Sequence, residues 1–132
     1  NVLNIPPEKV TAVKCPTVCL EYGKRDPNAN VAYEIVPIES VTDREDVKIL
    51  VGMLHQLDYK SAQFAAWHLA SGTSVQHLAT ETVLRPNGVR ITNFTPQQVQ
   101  RGLQLIQYAR QTAAQRALES SAPSSSSESS TH

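Results

Sequence analysis

Two cysteines, four histidines and a scatter of glutamines and arginines are the side chains with chemistry to offer in this 132-residue chain. Cys15 and Cys19 lie one residue too far apart for a CxxC redox pair. On an extended strand four residues cover about 13 Å, well beyond the roughly 7 Å that a disulfide tolerates, so a Cys15–Cys19 bridge needs the chain to fold back at Pro16. Three readings stay open: two small buried apolar side chains, a local disulfide, or a reactive thiol at Cys19. A thiolate at Cys19 working with His55 or His68 would make a Cys/His hydrolase, although no local signature marks one. His55, His68 and His77 are spaced without an i, i+4 pair or a neighbouring cysteine couple, and His132 sits at the far end. Zinc sites are built from tightly spaced ligands, so neither a metal nor any other cofactor is expected. His68, next to Trp67, reads with it as a structural anchor.

Charge is balanced overall, with twelve basic and twelve acidic residues, but it is unevenly spread. Residues 32–58 hold six acids and two bases, while residues 82–118 hold Arg85, Arg90, Arg101, Arg110 and Arg116 and no acid. Arg101 and Arg110 fall about 180° apart on an ideal helix, so they form no single basic face. Packing against the acidic helix, with some arginines solvated, explains them better than nucleic acid. A helix-turn-helix reading of residues 63–80 fails on the same ground, because Gln76, His77, Thr80 and Glu81 offer no positive charge to phosphate. Asn93-Phe94-Thr95 fits the N-glycosylation triplet, but Thr95 is also explained as a helix cap, so modification at Asn93 stays open.

Positioning these groups falls to a run of helices. Thr42 to Glu45 has capping-box spacing, and Val47, Leu50, Val51 and Leu54 follow on one helical face. A second helix spans Tyr59 to Ala70, closed by Gly72, and a third opens at Thr73 with Val75, Leu78 and Ala79 inside. Thr95 and Pro96 open the longest helix, whose stripe is Val99, Leu103, Ile106, Ala113 and Ala117. Gly102 weakens its early turns by about 1 kcal/mol relative to alanine.

The first forty residues read as strands: Val10–Val13, Thr17–Tyr22 and Val31–Val36, with a turn at Asp26-Pro27-Asn28. A further hairpin is expected at Thr82–Leu84 and Val89–Thr92 around Pro86-Asn87-Gly88. The expected architecture is α+β, a small antiparallel sheet from the N-terminal third packed against three to four helices, with the Trp67 indole wedged between them. An extension over residues 1–8 leads into one domain over residues 9–118. Residues 119–132, with eight serines and no large apolar side chain past Leu118, are expected to be a disordered tail.

With 40% apolar and 5% aromatic residues the chain can build an aliphatic core, and no apolar run is long enough to insert in a membrane. The first residue is Asn1 and NVLNIPPEKV is no signal peptide, so any leader is expected to be already removed.

Segments 17–28 (TVCLEYGKRDPN), 33–38 (YEIVPI) and 63–70 (QFAAWHLA) together resemble a group of bacterial proteins best represented in planctomycetes, without a settled activity. The resemblance implies an exported, extracytoplasmic bacterial protein. Gln63-Phe-Ala-Ala-Trp67 is also similar to the Q-x-A-x-W core of thioester domains in surface adhesins of Gram-positive bacteria. That resemblance implies an internal thioester between Cys19 and a downstream glutamine: Gln100 in VQRGL, Gln76 in VQHLA, or Gln63. The plainer role for Gln63 is a hydrogen bond to sheet backbone, with Trp67 anchoring the core. The reading that follows is a non-enzymatic exported binding module whose partner is an unidentified protein or surface ligand. The thioester adhesion domain is the alternative, and the Cys/His hydrolase the second.

Overall fold

The computed structural model describes residues 14–24, 30 and 34–121. Its elements are α1 (Glu45–Gly52), α2 (Tyr59–Ser71), α3 (Val75–Thr80), β1 (Thr82–Leu84), β2 (Arg90–Thr92) and α4 (Pro96–Ser121). Single 3-10 turns occupy Ile38–Ser40 and Leu54–Gln56. The fold is α+β, an antiparallel β1–β2 pair beside a helical body.

α2 is the central helix, and its sequence shows why. Small side chains at Ser61, Ala62, Ala65 and Ala66 are all buried, so α1 and α4 can both come close, while Phe64 and Leu69 fill the space that remains. Val47, Ile49 and Leu50 of α1, Leu78 of α3, Phe94, and Ile106 and Ala109 of α4 complete the core. Phe64 and Phe94 meet edge to face, ring centres 5.2 Å apart, the arrangement their quadrupoles favour. Gly102 faces Phe64 so closely that a Cβ there would stand 2.4 Å from Phe64 Cδ1. The glycine is thus a packing requirement as well as a weak helix former.

The ends of the elements are written in short side chains. Asp58 caps α2 by accepting the Ser61 N–H at 3.0 Å. Gly72, at φ +72°, closes it, with its own N–H on the His68 carbonyl and the Thr73 N–H on that of Trp67. Thr95 and Gln98 cap α4 reciprocally, each side-chain oxygen accepting the other's backbone N–H. Asn87 Oδ1 accepts the Val89 N–H, and Gly88, at φ +86°, turns the hairpin.

Burial by itself would raise the pKa of Asp58. The adjoining Ser61 hydroxyl and N–H and the Arg101 guanidinium outweigh it and hold the carboxyl below its ordinary value. A depressed pKa means stability that is present above the unfolded value, near 3.9, and is lost as pH falls through the folded one. Asp58→Ala is therefore expected to cost about 1 kcal/mol near neutrality and less in strong acid, checked by urea midpoints across an acid series.

Several expected boundaries move. The Thr42 box does not form: Thr42 Oγ1 accepts the Arg44 N–H at 3.1 Å, and α1 starts at Glu45. The N-cap position is Arg44, without a side-chain cap; inside the first turn Asp46 accepts the Val47 N–H at 2.8 Å while Arg44 grips both its oxygens. Leu54 belongs to the 3-10 turn that follows. α3 is capped by Ser74, one residue after Thr73, through the His77 N–H. Residues 119–121, expected in the tail, continue α4, because extending an existing helix costs far less than starting one. Residues 122–132, the extension 1–8, the expected strand at 10–13 and the turn at 26–28 lie outside the described residues.

The larger correction concerns the sheet. Among the described residues Thr17–Tyr22 enters no ladder and residues 34–37 form no strand. Among the described residues the paired strands are those of the 82–92 hairpin. Residues 14–24 instead form a strap laid along α2, whose main-chain groups are met by helical side chains.

Candidate functional site

The strap explains why α2 carries Gln63, Trp67 and Ser71. These fall at i, i+4 and i+8, a slowly drifting stripe on one side of the helix. Gln63, only 2% exposed, accepts the Cys19 N–H at 2.8 Å with Oε1 and donates to the Cys19 carbonyl at 2.7 Å with Nε2. One carboxamide thus does for Cys19 what a neighbouring strand would do. Ser71 Oγ repeats the device, accepting the Tyr22 N–H at 2.9 Å and donating to the Leu20 carbonyl at 2.6 Å.

Between these two clamps, half-buried Trp67 meets Tyr22 edge to face at 5.0 Å and Phe94 at 6.1 Å. Trp67 thus sits between the strap and the core. The Tyr22 hydroxyl extends the seam to α3, donating to Glu81 and meeting His77 Nε2. Val18, Leu20 and Tyr22 pack on the main core.

Cys15 is exposed and Cys19 half-buried, and no disulfide joins them. Of the three glutamines considered as Cys19 partners, Gln63 alone is bonded to its main chain by both ends of the carboxamide. Gln76 and Gln100 are exposed on α3 and α4.

The three described histidines each have a partner. His68 Nδ1 donates to the Thr73 carbonyl at 2.8 Å, leaving Nε2 to accept from Arg110 Nη2 at 3.0 Å. His55 accepts from Gln56, and His77 adjoins Tyr22. Among the described residues no three histidine, cysteine or acidic side chains gather closely enough to hold a metal ion. No described helix is long and apolar enough to cross a membrane.

The arginines divide into two sets. Arg101 pairs with Asp58 at 3.2 Å and Arg116 with Glu45 at 3.0 Å, while Arg110 holds His68. Arg101 and Arg110 flank the stripe that α4 buries at Gly102, Ile106 and Ala109. Their partners, at the start and near the end of α2, show that α2 and α4 run in the same sense. Arg85 and Arg90 of the hairpin have no carboxylate partner among the described residues, and Arg90 donates only to Thr82 Oγ1.

That hairpin is also where apolar surface concentrates. Val83, Leu84, Val89 and Ile91 are 38%, 62%, 53% and 37% exposed, so this pair of strands contributes no buried side chain to the core. Val83 and Ile91 are direct partners in the register, and they floor an open groove of about 420 Å³ bounded by Lys60, Arg85, Thr95 and Gln98. A cleft of about 500 Å³ between the start of α2 and α4 offers less, because its charged groups, Asp58 and Arg101, are already paired with each other.

Sequence reasoning missed Ser71, Tyr22 and the Asp58 cap. Asp58, three residues before Ser61 at the start of a periodic stretch, carried a readable cap signal. Ser71 and Tyr22 carried none, since each matters only through a segment about fifty residues away. The chain matches no family model, no curated protein and no solved structure.

Proposed function

We propose that this chain is a non-enzymatic binding module, exported in a bacterium, that meets its partner through the 82–92 hairpin. The observation that carries the reading is the hairpin itself. It holds four large apolar side chains in solvent and two arginines without acids, a poor arrangement for stability and a useful one for contact. Gln63 holds the Cys19 main chain, and both nitrogens of His68 have partners.

A second reading is favoured by one specific contact, that of Gln63 with Cys19. In a thioester domain the Cys19 sulfur would bond to the Gln63 carbonyl carbon and ammonia would leave. A partner amine would later attack that carbon and release the thiolate. Forming the bond requires the carboxamide to give up both hydrogen bonds to the strap.

Intact mass of the unreduced protein, followed by iodoacetamide labelling near neutral pH, separates these readings. The binding module is expected to show the full sequence mass and slow labelling of Cys19. A deficit of one ammonia would establish the thioester, a deficit of two hydrogens the Cys15–Cys19 disulfide. Rapid alkylation of Cys19 would point to the hydrolase.

A further inference from the structure

We infer that the hairpin takes an extended peptide segment, carboxylates alternating with apolar side chains, as an added β-strand. This rests on the reading of the chain as a binding module and names the chemistry of its partner.

The first support is the ladder. The Arg85 N–H bonds to the Val89 carbonyl and the Asn93 N–H to that of Glu81, with Val83 opposite Ile91. Inward-facing pairs are therefore 81/93, 83/91 and 85/89. By the alternation of an antiparallel ladder, Thr82 and Leu84 on one edge and Arg90 and Thr92 on the other turn their N–H and C=O groups outward. Every one of these four residues is exposed, and no described strand pairs with either edge. Open main-chain donors and acceptors beside apolar side chains are what strand addition uses.

The second support is charge. Arg85 and Lys60 border the strip of Val83 and Ile91, Arg90 lies on the opposite face of the ladder with Leu84, and none of the three has a carboxylate partner among the described residues; Lys60 donates to Asn93 Oδ1 and lies over the Phe94 ring. Arg101 and Arg116 of α4 are paired with carboxylates, whereas the groove beside Val83 and Ile91 holds two cations and, among the described residues, no acid. A strand added along β1 with carboxylates on alternate residues turns them toward Arg85 and Lys60 and turns its apolar residues toward Leu84 on the other face.

Other occupants fit less well. Pairing with a second copy would offer Arg85 and Arg90 no hairpin carboxylate but Glu81, which the Tyr22 hydroxyl already engages. Single-stranded nucleic acid binds by stacking bases on aromatic rings, and residues 82–92 contain none.

The test uses the full chain, with backbone amide NMR as readout and three probes: acetyl-Val-Glu-Val-Glu-Val-amide, its Lys-for-Glu counterpart, and the Glu peptide N-methylated at alternate amides. The expected result is saturable shifts at residues 82–92 with the first probe alone. N-methylation, which removes ladder bonds and keeps the side chains, should weaken binding on the order of tenfold, and Arg85→Glu should weaken it by a similar factor. No response to the Glu peptide overturns the proposal, as do equal responses to the Lys or N-methylated forms. Shifts with oligothymidylate in its place, or dimerisation through residues 82–92, overturn it in favour of those occupants. These failures leave mass and thiol labelling unchanged, whereas a thioester or a fast-reacting Cys19 would defeat the broader reading first.

Discussion

Gly102→Ala is expected to destabilise the protein by about 1–3 kcal/mol, even though alanine is the better helix former by about 1 kcal/mol. The added Cβ would lie 2.4 Å from Phe64 Cδ1, 2.9 Å from Cγ and 3.1 Å from Cβ. Phe64 cannot swing aside, because it is fully buried and held edge-on by Phe94. Helix α4 must then lift from α2, opening the interior along Ile106 and Ala109. The urea midpoint should fall, and Phe64→Leu in the Gly102→Ala background should recover part of the loss, since it removes the ring atoms that collide. Two additive penalties would show that α2 and α4 do not touch as described.

Gln63→Leu is expected to be at least as damaging, at about 2–4 kcal/mol, although it conserves volume and adds apolar character at a buried position. Leucine fills the space and leaves the Cys19 N–H and carbonyl without their partner, so the strap must lift into water or keep two polar groups unmet. A second readout isolates the strap from general loss of stability. In a Cys15→Ser background, iodoacetamide should label Cys19 markedly faster in Gln63→Leu than in the parent, below the unfolding transition. Ser71→Ala should move both quantities in the same direction. An unchanged labelling rate in Gln63→Leu would mean that the carboxamide does not hold the strap.

These two residues show what could be read from the chain. Helices declared themselves through local signals: Thr95 with Gln98, Gly72 after a periodic run, and Pro86-Asn87-Gly88 between the strands of the hairpin. The start of α1 was misplaced because Thr42 spends its hydroxyl on the Arg44 N–H, two residues on, and the helix opens at Glu45 behind Arg44, which holds Asp46 in the first turn. Thr17–Tyr22 has a strand's composition. Its partner is not another strand but two side chains of α2, forty-four and forty-nine residues further on, and no local pattern encodes that. Of the candidate site, a main-chain bond from Gln63 was legible as one of its roles, but to sheet backbone, whereas Cys19 lies in no sheet. The hairpin was legible as an element, but its exposure depends on how the helices close beneath it, which composition alone does not reveal.

The hydrogen bonds of residues 19–22 to the body close loops of more than forty residues, as do the ion pairs Arg101–Asp58 and Arg116–Glu45 that join α4 to the start of α2 and to α1. Strap and helical body alike are thus sewn together from distant stretches of chain, so a lesion at either seam is felt far along the sequence from where it is made.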